Sequence, residues 1–158
     1  MTIVGIDNGT SGSWAALAPD WVYFHRMPTK VSLLGKKERR ITRIDMPILH
    51  EQIYAAKPSK AYLERPFTGR FLNAVLPAQR AFEAVLIALE QARVPYEVVD
   101  SKTWQKPLLG TVKGSENLKK ASMELGCRLY PQLAYQITKH GDADGLLIAH
   151  YFARVAGQ

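Results

Sequence analysis

Short apolar runs with polar ends fill the first third of the chain. Longer helical periodicities dominate the rest. Residues 2–6 (TIVGI) run apolar into a single acid, Asp7, and then into the turn formers Asn8 and Gly9. That pattern predicts a buried strand ending on an aspartate, followed by a tight turn over 8–12. Residues 13–18 and 21–26 read as two further strands, joined at Pro19-Asp20. The charged stretch 29–43 reads as an exposed, mobile basic loop or hairpin. A short helix is expected over 47–56, with Ile48, Leu49, Ile53 and Tyr54 on one side.

The opening theme returns at 60–64, where Ala61, Tyr62 and Leu63 form a strand that ends on Glu64. Arg65-Pro66-Phe67-Thr68-Gly69 breaks it. The longest helix is expected over 77–93, with Pro77 in its first turn. Its residues are apolar on most sides, which predicts burial on most sides and, in so small a domain, contact with a partner subunit. Residues 95–99 form another strand, closed by the cap Asp100-Ser101. Helices are expected over 101–106 and 115–129. A last helix over 142–155 follows the turn Lys139-His140-Gly141. The order predicts one α/β domain over 1–158 with a mixed central sheet, antiparallel first and parallel later, flanked by helices.

Composition narrows the class. The 158 residues are 47% hydrophobic, ordinary for one compact domain. Apolar runs fall short of the roughly 18 residues that span a bilayer. The first residues enter a strand at once, so no signal or transit peptide is expected. Cys127 is the one cysteine, so no internal disulfide forms and a reducing, cytoplasmic setting is expected. Cys127 itself reads as a small buried residue on a helix. The net charge of +7 and pI near 9.6 favour a polyanionic partner, nucleic acid or an anionic membrane surface. Clustering favours nucleic acid. Lys36, Lys37, Arg39, Arg40 and Arg43 put five cations in eight residues. Lys102, Lys106, Lys113, Lys119 and Lys120 form a second group.

The candidate chemistry lies in the acids. Asp7 and Glu64 end two strands, and Asp142 and Asp144 open the last helix. If the strands are parallel neighbours, both of their acids lie at one sheet edge, where a helix can bring Asp144. Clustered carboxylates repel unless metal neutralises them, and oxygen ligands select Mg²⁺ or Mn²⁺. Two such ions about 3.5–4 Å apart cleave phosphodiesters. Each acid also has a plainer reading. Asp7 suits a turn, Glu64 an ion pair with Arg65, Asp142 an N-cap, and Asp144 the helix dipole. His140 alone reads as a surface residue. The basic groups would hold phosphates on either side of such a site. Phe67, in a loop with Arg70, would stack on or wedge between bases.

GIDNGTSG at 5–12, YLERPF at 62–67 and KHGDADGLLIAHYFAR at 139–154 together resemble the RuvC-type Holliday junction resolvases, in their phage and plant-organelle branch. VPYEVVDSKTWQKPLLG at 94–110 and LYP at 129–131 extend the resemblance to most of the chain, except the basic insert around 29–45. The resemblance implies the RNase H-like (retroviral integrase) fold and a bacterial or phage-encoded source. It also implies a homodimer that makes paired symmetric nicks across a four-way DNA junction with Mg²⁺ and no nucleotide cofactor. It places catalytic roles on Asp7, Glu64 and Asp144. The fourth family position falls on Gly141, so Asp142 or His140 beside it takes the role, Asp142 as ligand and His140 as ligand or proton carrier. Phe67 falls where the family has an aromatic that opens the junction centre. Lys106 and Lys119 fall near basic positions that contact the cleaved phosphate region. Asn8 replaces a common proline, and Gly145 an alanine, a change expected to cost only helix stability.

The turn from Asp7 to Ser11 also resembles the phosphate-binding turn of sugar kinases and actin-like ATPases, which need a second, similar domain. A non-catalytic junction-binding protein and other RNase H-like nucleases, acting on flaps, branched DNA or RNA–DNA hybrids, are the remaining readings.

Overall fold

The computed structural model describes residues 1–34 and 39–155. Strands β1 (Ile3–Ile6), β2 (Ser13–Leu17), β3 (Val22–Arg26), β6 (Lys60–Glu64) and β7 (Tyr96–Val99) form one sheet in the order β3-β2-β1-β6-β7. β1 is central and buried along its whole length. It pairs antiparallel with β2 and parallel with β6, and β6 pairs parallel with β7. The mixed α/β sheet expected from the run order is therefore present.

Between β3 and β6 the chain makes a separate two-stranded hairpin, β4 (Thr29–Leu34) and β5 (Arg39–Ile44), then helix α1 (Met46–Ala56). The basic stretch is thus a hairpin. Lys36 and Lys37 lie outside the described residues. α1 enters through Pro47 in its first turn and ends on Lys57, whose left-handed backbone lets its N–H bond the Tyr54 carbonyl.

Side-chain alternation sorts the core into two layers. Val4, Ile6, Trp14 and Ala16 face α1 and α2 (Leu72–Gln91), where Leu49, Ile53, Ala81, Val85, Ala88 and Leu89 meet them. Ala15 and Leu17 face the other way. There they meet Trp104 of α3 (Ser101–Leu109) and Ile137 of α5 (Ala134–His140), with Leu146 to Ala149 of α6 (Asp144–His150). Helix α4 (Ser115–Leu129) closes this second layer, and a short π-helical turn, Tyr151–Val155, follows α6.

Three expectations change. α2 begins at Leu72, so Pro77 lies inside the helix, not in its first turn. The apolar residues Leu72, Val75 and Leu76 extend the helical pattern upstream, at the cost of one backbone bond at the proline. Nor is α2 buried on most sides. Leu72 is 69% exposed, Leu76 56% and Ile87 37%, and Phe71 just before it 77%. By length and composition alone α2 could cross a membrane, but its other face carries the core residues named above. Finally, 134–140 is a helix of its own, α5. His140 is its last residue and Gly141, with φ of 104°, its left-handed cap. The last helix therefore starts at Asp144, two residues later than the apolar pattern suggested.

Candidate active site

β1 carries the chain straight into Asp7, whose backbone N–H donates to Ser13 O at 2.9 Å and so extends the β1–β2 ladder by one residue. The parallel partner β6 ends at the same edge. Ile6 pairs with Leu63, so Asp7 and Glu64 follow side by side. Asn8 ties the two ends together, donating from Nδ2 to Glu64 O at 3.1 Å. Arg65 turns away to pair with Asp100 at 2.7 Å, which removes it as Glu64's partner. Glu64 instead accepts, at Oε2, the indole N–H of the buried Trp104 at 2.9 Å.

α6 delivers Asp144 by pressing its backbone on the strands. A Cβ on Gly5 would collide with Ala149 N and Gly145 O, and one on Gly145 would sit 2.6 Å from Ser13 O. Gly5 thus lets the α6 backbone reach β1, and Gly145 lets α6 reach Ser13 of β2, closer than any side chain permits. The Gly145 N–H donates to Ser13 Oγ at 3.2 Å. Gly145 is therefore a packing requirement, not only a helix cost. Ser122 of α4 donates its hydroxyl to Asp144 Oδ1 and accepts the Ala143 N–H at 3.0 Å. Asp142 sits just before the helix, with Ala143 at the capping position, and its Oδ1 accepts the Asp144 N–H at 3.3 Å.

Asp7, Asp142 and Asp144 each offer a carboxylate oxygen, and all three oxygens lie within 4.8 Å of one another. Glu64 stands outside this tight trio. Burial, then the charges of Asp144, Glu64 and Asp142, hold the Asp7 carboxyl well above its usual range, with Lys119 opposing. Burial and Asp142 push Asp144 up to about 7, against the Ser122 hydrogen bond and Lys119. Burial raises Glu64 as well, the Trp104 bond resisting and Asp142 adding to it. Desolvated, mutually repelling carboxyls keep protons unless a cation replaces them. An all-oxygen set at this spacing fits a hard divalent ion rather than zinc or a soft metal.

His140 is buried, its ring edge-on to Phe24 at 5.7 Å. Its Nε2 lies 3.4 Å from Asp142 Oδ1, but outside hydrogen-bonding geometry; neither ring nitrogen has a hydrogen-bond partner among the described residues. Of the two residues flanking Gly141, Asp142 is the one in the trio, and His140 stands behind it.

Lys119 on α4 is exposed and close enough to lower both Asp7 and Asp144. Lys106 in the last turn of α3 and Lys113 in the α3–α4 connection are exposed, as are Arg70 and Arg40. Arg39 opens β5. Phe67 is 56% exposed and lines an open depression with Glu64, Thr68, Lys102 and Thr103. A Cβ on Gly69 would strike its ring, so the loop folds closely over Phe67. The ties made by Asn8, Ser13, Trp104 and Ser122 were invisible to sequence reasoning. Their partners lie 56, 132, 40 and 22 residues away, and no local pattern marks such pairs.

No protein-family model and no curated protein matches the chain. Solved structures do. RuvC of T. thermophilus, in complex with a Holliday junction substrate, superposes with a TM-score of 0.54 and 18% identity, covering 98% of this chain and 96% of that one. The fowlpox virus Holliday junction resolvase superposes with a TM-score of 0.50 and 10% identity, covering 94% and 92%. The fold is that of the RuvC-type resolvases, within the RNase H-like class, as the sequence motifs implied.

Proposed function

We propose that this protein is a metal-dependent, structure-selective DNA endonuclease that resolves four-way junctions by paired symmetric nicks, as a cytoplasmic homodimer. The observation that carries the reading is the convergence of Asp7, Asp142 and Asp144 within 4.8 Å, on a fold shared with a RuvC that was solved on a Holliday junction. Asp7, Asp142 and Asp144, completed by Glu64, would hold two Mg²⁺ ions, with Mn²⁺ able to substitute. When bound, such ions activate a water and stabilise the leaving oxygen of a phosphodiester.

The chain's own residues supply the rest. Asn8 and the β1–β6 pairing keep Asp7 and Glu64 level at one edge. Ser122 and the Gly5–Gly145 contact hold Asp144 against them. His140, buried behind Asp142, takes up or gives a proton there. Lys119, beside the acids, holds the phosphate to be cut, and Lys106 and Lys113 hold its neighbours. Phe67 projects next to Glu64 to stack on or separate bases at the branch point. Arg70, Arg39 and Arg40, with Lys36 and Lys37, grip the DNA arms. The exposed apolar face of α2 pairs two copies, whose two-fold axis matches that of a junction.

The test is cleavage of a four-way junction, a flap, a plain duplex and an RNA–DNA hybrid, each with and without Mg²⁺. Paired symmetric nicks on the junction alone are expected. Asp7→Asn should lower the rate by more than about 100-fold, beyond what losing an outer-shell partner costs. Full Mg²⁺-dependent cleavage by Asp7→Asn would overturn the mechanism.

A further inference from the structure

Glu64 is the acid that stands apart from the trio, and it is held at two points. Asn8 Nδ2 bonds its main-chain carbonyl at 3.1 Å, and Trp104 Nε1 bonds its carboxylate Oε2 at 2.9 Å. We propose that Asn8 and Trp104 are positioning residues for Glu64. Asn8 sets the height of the β6 terminus against Asp7. Trp104 fixes the carboxylate so that Oε1 is the oxygen left for the ion. The inference rests on the reading of the acids as a metal site.

Three features carry it. Trp104 has no exposed surface and is packed in the core layer with Ile137, Ala143 and Leu146. Its ring therefore cannot turn without unpacking that layer, so its N–H points in one direction. A buried indole N–H requires an acceptor, and the acceptor here is a carboxylate at the candidate site rather than a backbone carbonyl. Trp14 provides the contrast, since its N–H spends itself on Gln52 Oε1 at 3.3 Å, away from the acids. Asn8, next to Asp7 in the chain, supplies the second hold. The two anchors come from different elements, one from the turn that follows β1 and one from α3. A long side chain at a strand end has several torsions to fix, and outer-shell donors of this kind orient metal-binding carboxylates.

The test uses the full chain labelled with ¹⁵N at indole nitrogen. Trp14, Trp21 and Trp104 give three indole signals, and the one that vanishes in Trp104→Phe is that of Trp104. Glu64→Ala should move this signal and leave the other two in place. Mg²⁺ added to the wild type should move the same signal. Trp104→Phe and Asn8→Ala should each lower kcat on a junction by about 10–100-fold and raise the Mg²⁺ concentration needed. Junction affinity in EDTA should stay at the wild-type value. A Trp104 signal indifferent to Glu64→Ala would overturn the proposal. So would a folded Trp104→Phe with wild-type kcat and Mg²⁺ requirement, which would reduce Trp104 to packing. Should Trp104→Phe fail to fold, Asn8→Ala and the Glu64→Ala spectrum still decide. If the wild type cuts no junction, the proposed function fails, while the indole shift judges the clamp independently.

Discussion

The two faces of the central strand β1 are built on opposite terms. On one, α6 lies directly on the backbone, with Gly5 against Gly145 O and Ala149 N, Gly145 against Ser13, and residues 145 to 149 all buried. On the other, α2 buries Ala81, Val85, Ala88 and Leu89 and leaves Leu72 and Leu76 more than half exposed. The first face seats Asp144 through a direct backbone contact. Side chains between helix and strand would add rotamer freedom. The second face has one apolar flank satisfied inside the chain and one left over. Contiguous exposed apolar residues mark a surface that meets a partner. The candidate acids are thus built on one side of the sheet, and the exposed apolar residues lie on the other.

Substitutions separate the two sides. The largest effect on folding is expected at Gly145. Gly145→Ala puts a methyl 2.6 Å from Ser13 O, and overpacking of this kind costs about 1–3 kcal/mol. Denaturant unfolding should show that loss, and a midpoint equal to the wild type would mean that α6 stands off the strand. The next effect depends on pH. Without divalent ions the folded Asp144 carboxyl titrates at about 7, against 3.8 ordinarily. Between these values the folded state keeps a proton that the unfolded state has lost. This contribution to stability is therefore full below pH 3.8 and is lost as pH rises through about 7. Asp7 and Glu64 act in the same direction. Thermal melts should show stability falling over that window, and Mg²⁺ should raise Tm more at about pH 8 than at about pH 5. A flat response would mean the acids do not share a desolvated site. The smallest effect on folding is expected on the outer face of α2. Leu76→Glu should change monomer stability by no more than about 0.5 kcal/mol, yet shift sedimentation from dimer to monomer. An unchanged assembly would move the partner surface elsewhere.

Most of the sheet was legible because buried strands announce themselves in short apolar runs. β1, β2, β3, β6 and β7 fall within a residue or so of their expected ends. Asp7 and Glu64 were legible as strand-ending acids for the same reason, since each closes an apolar run. The start of α2 was not. Pro77 signals a first turn strongly, yet the helix starts five residues ahead of it although Leu72 and Leu76 stay more than half exposed. α5 was missed because its seven residues hold a single buried side chain, Ile137, too few for a periodicity. The choice between His140 and Asp142 was also closed to sequence reading. Both flank Gly141, and which one faces Asp7 depends on the left-handed turn at Gly141.

By itself the sequence determined the alternation that sorts strand residues into two layers, the acids that end β1 and β6, and the basic excess around them. These are local properties, set by side-chain type and a spacing of a few residues. Only the tertiary structure decided that Asp142 joins Asp7 and Asp144 while Glu64 stands apart, held by Trp104 and Asn8. It alone made Gly145 a contact rather than a weak helix position. Those outcomes depend on distances between residues far apart in the chain. Such distances are fixed when whole elements pack, and no single stretch of sequence encodes them.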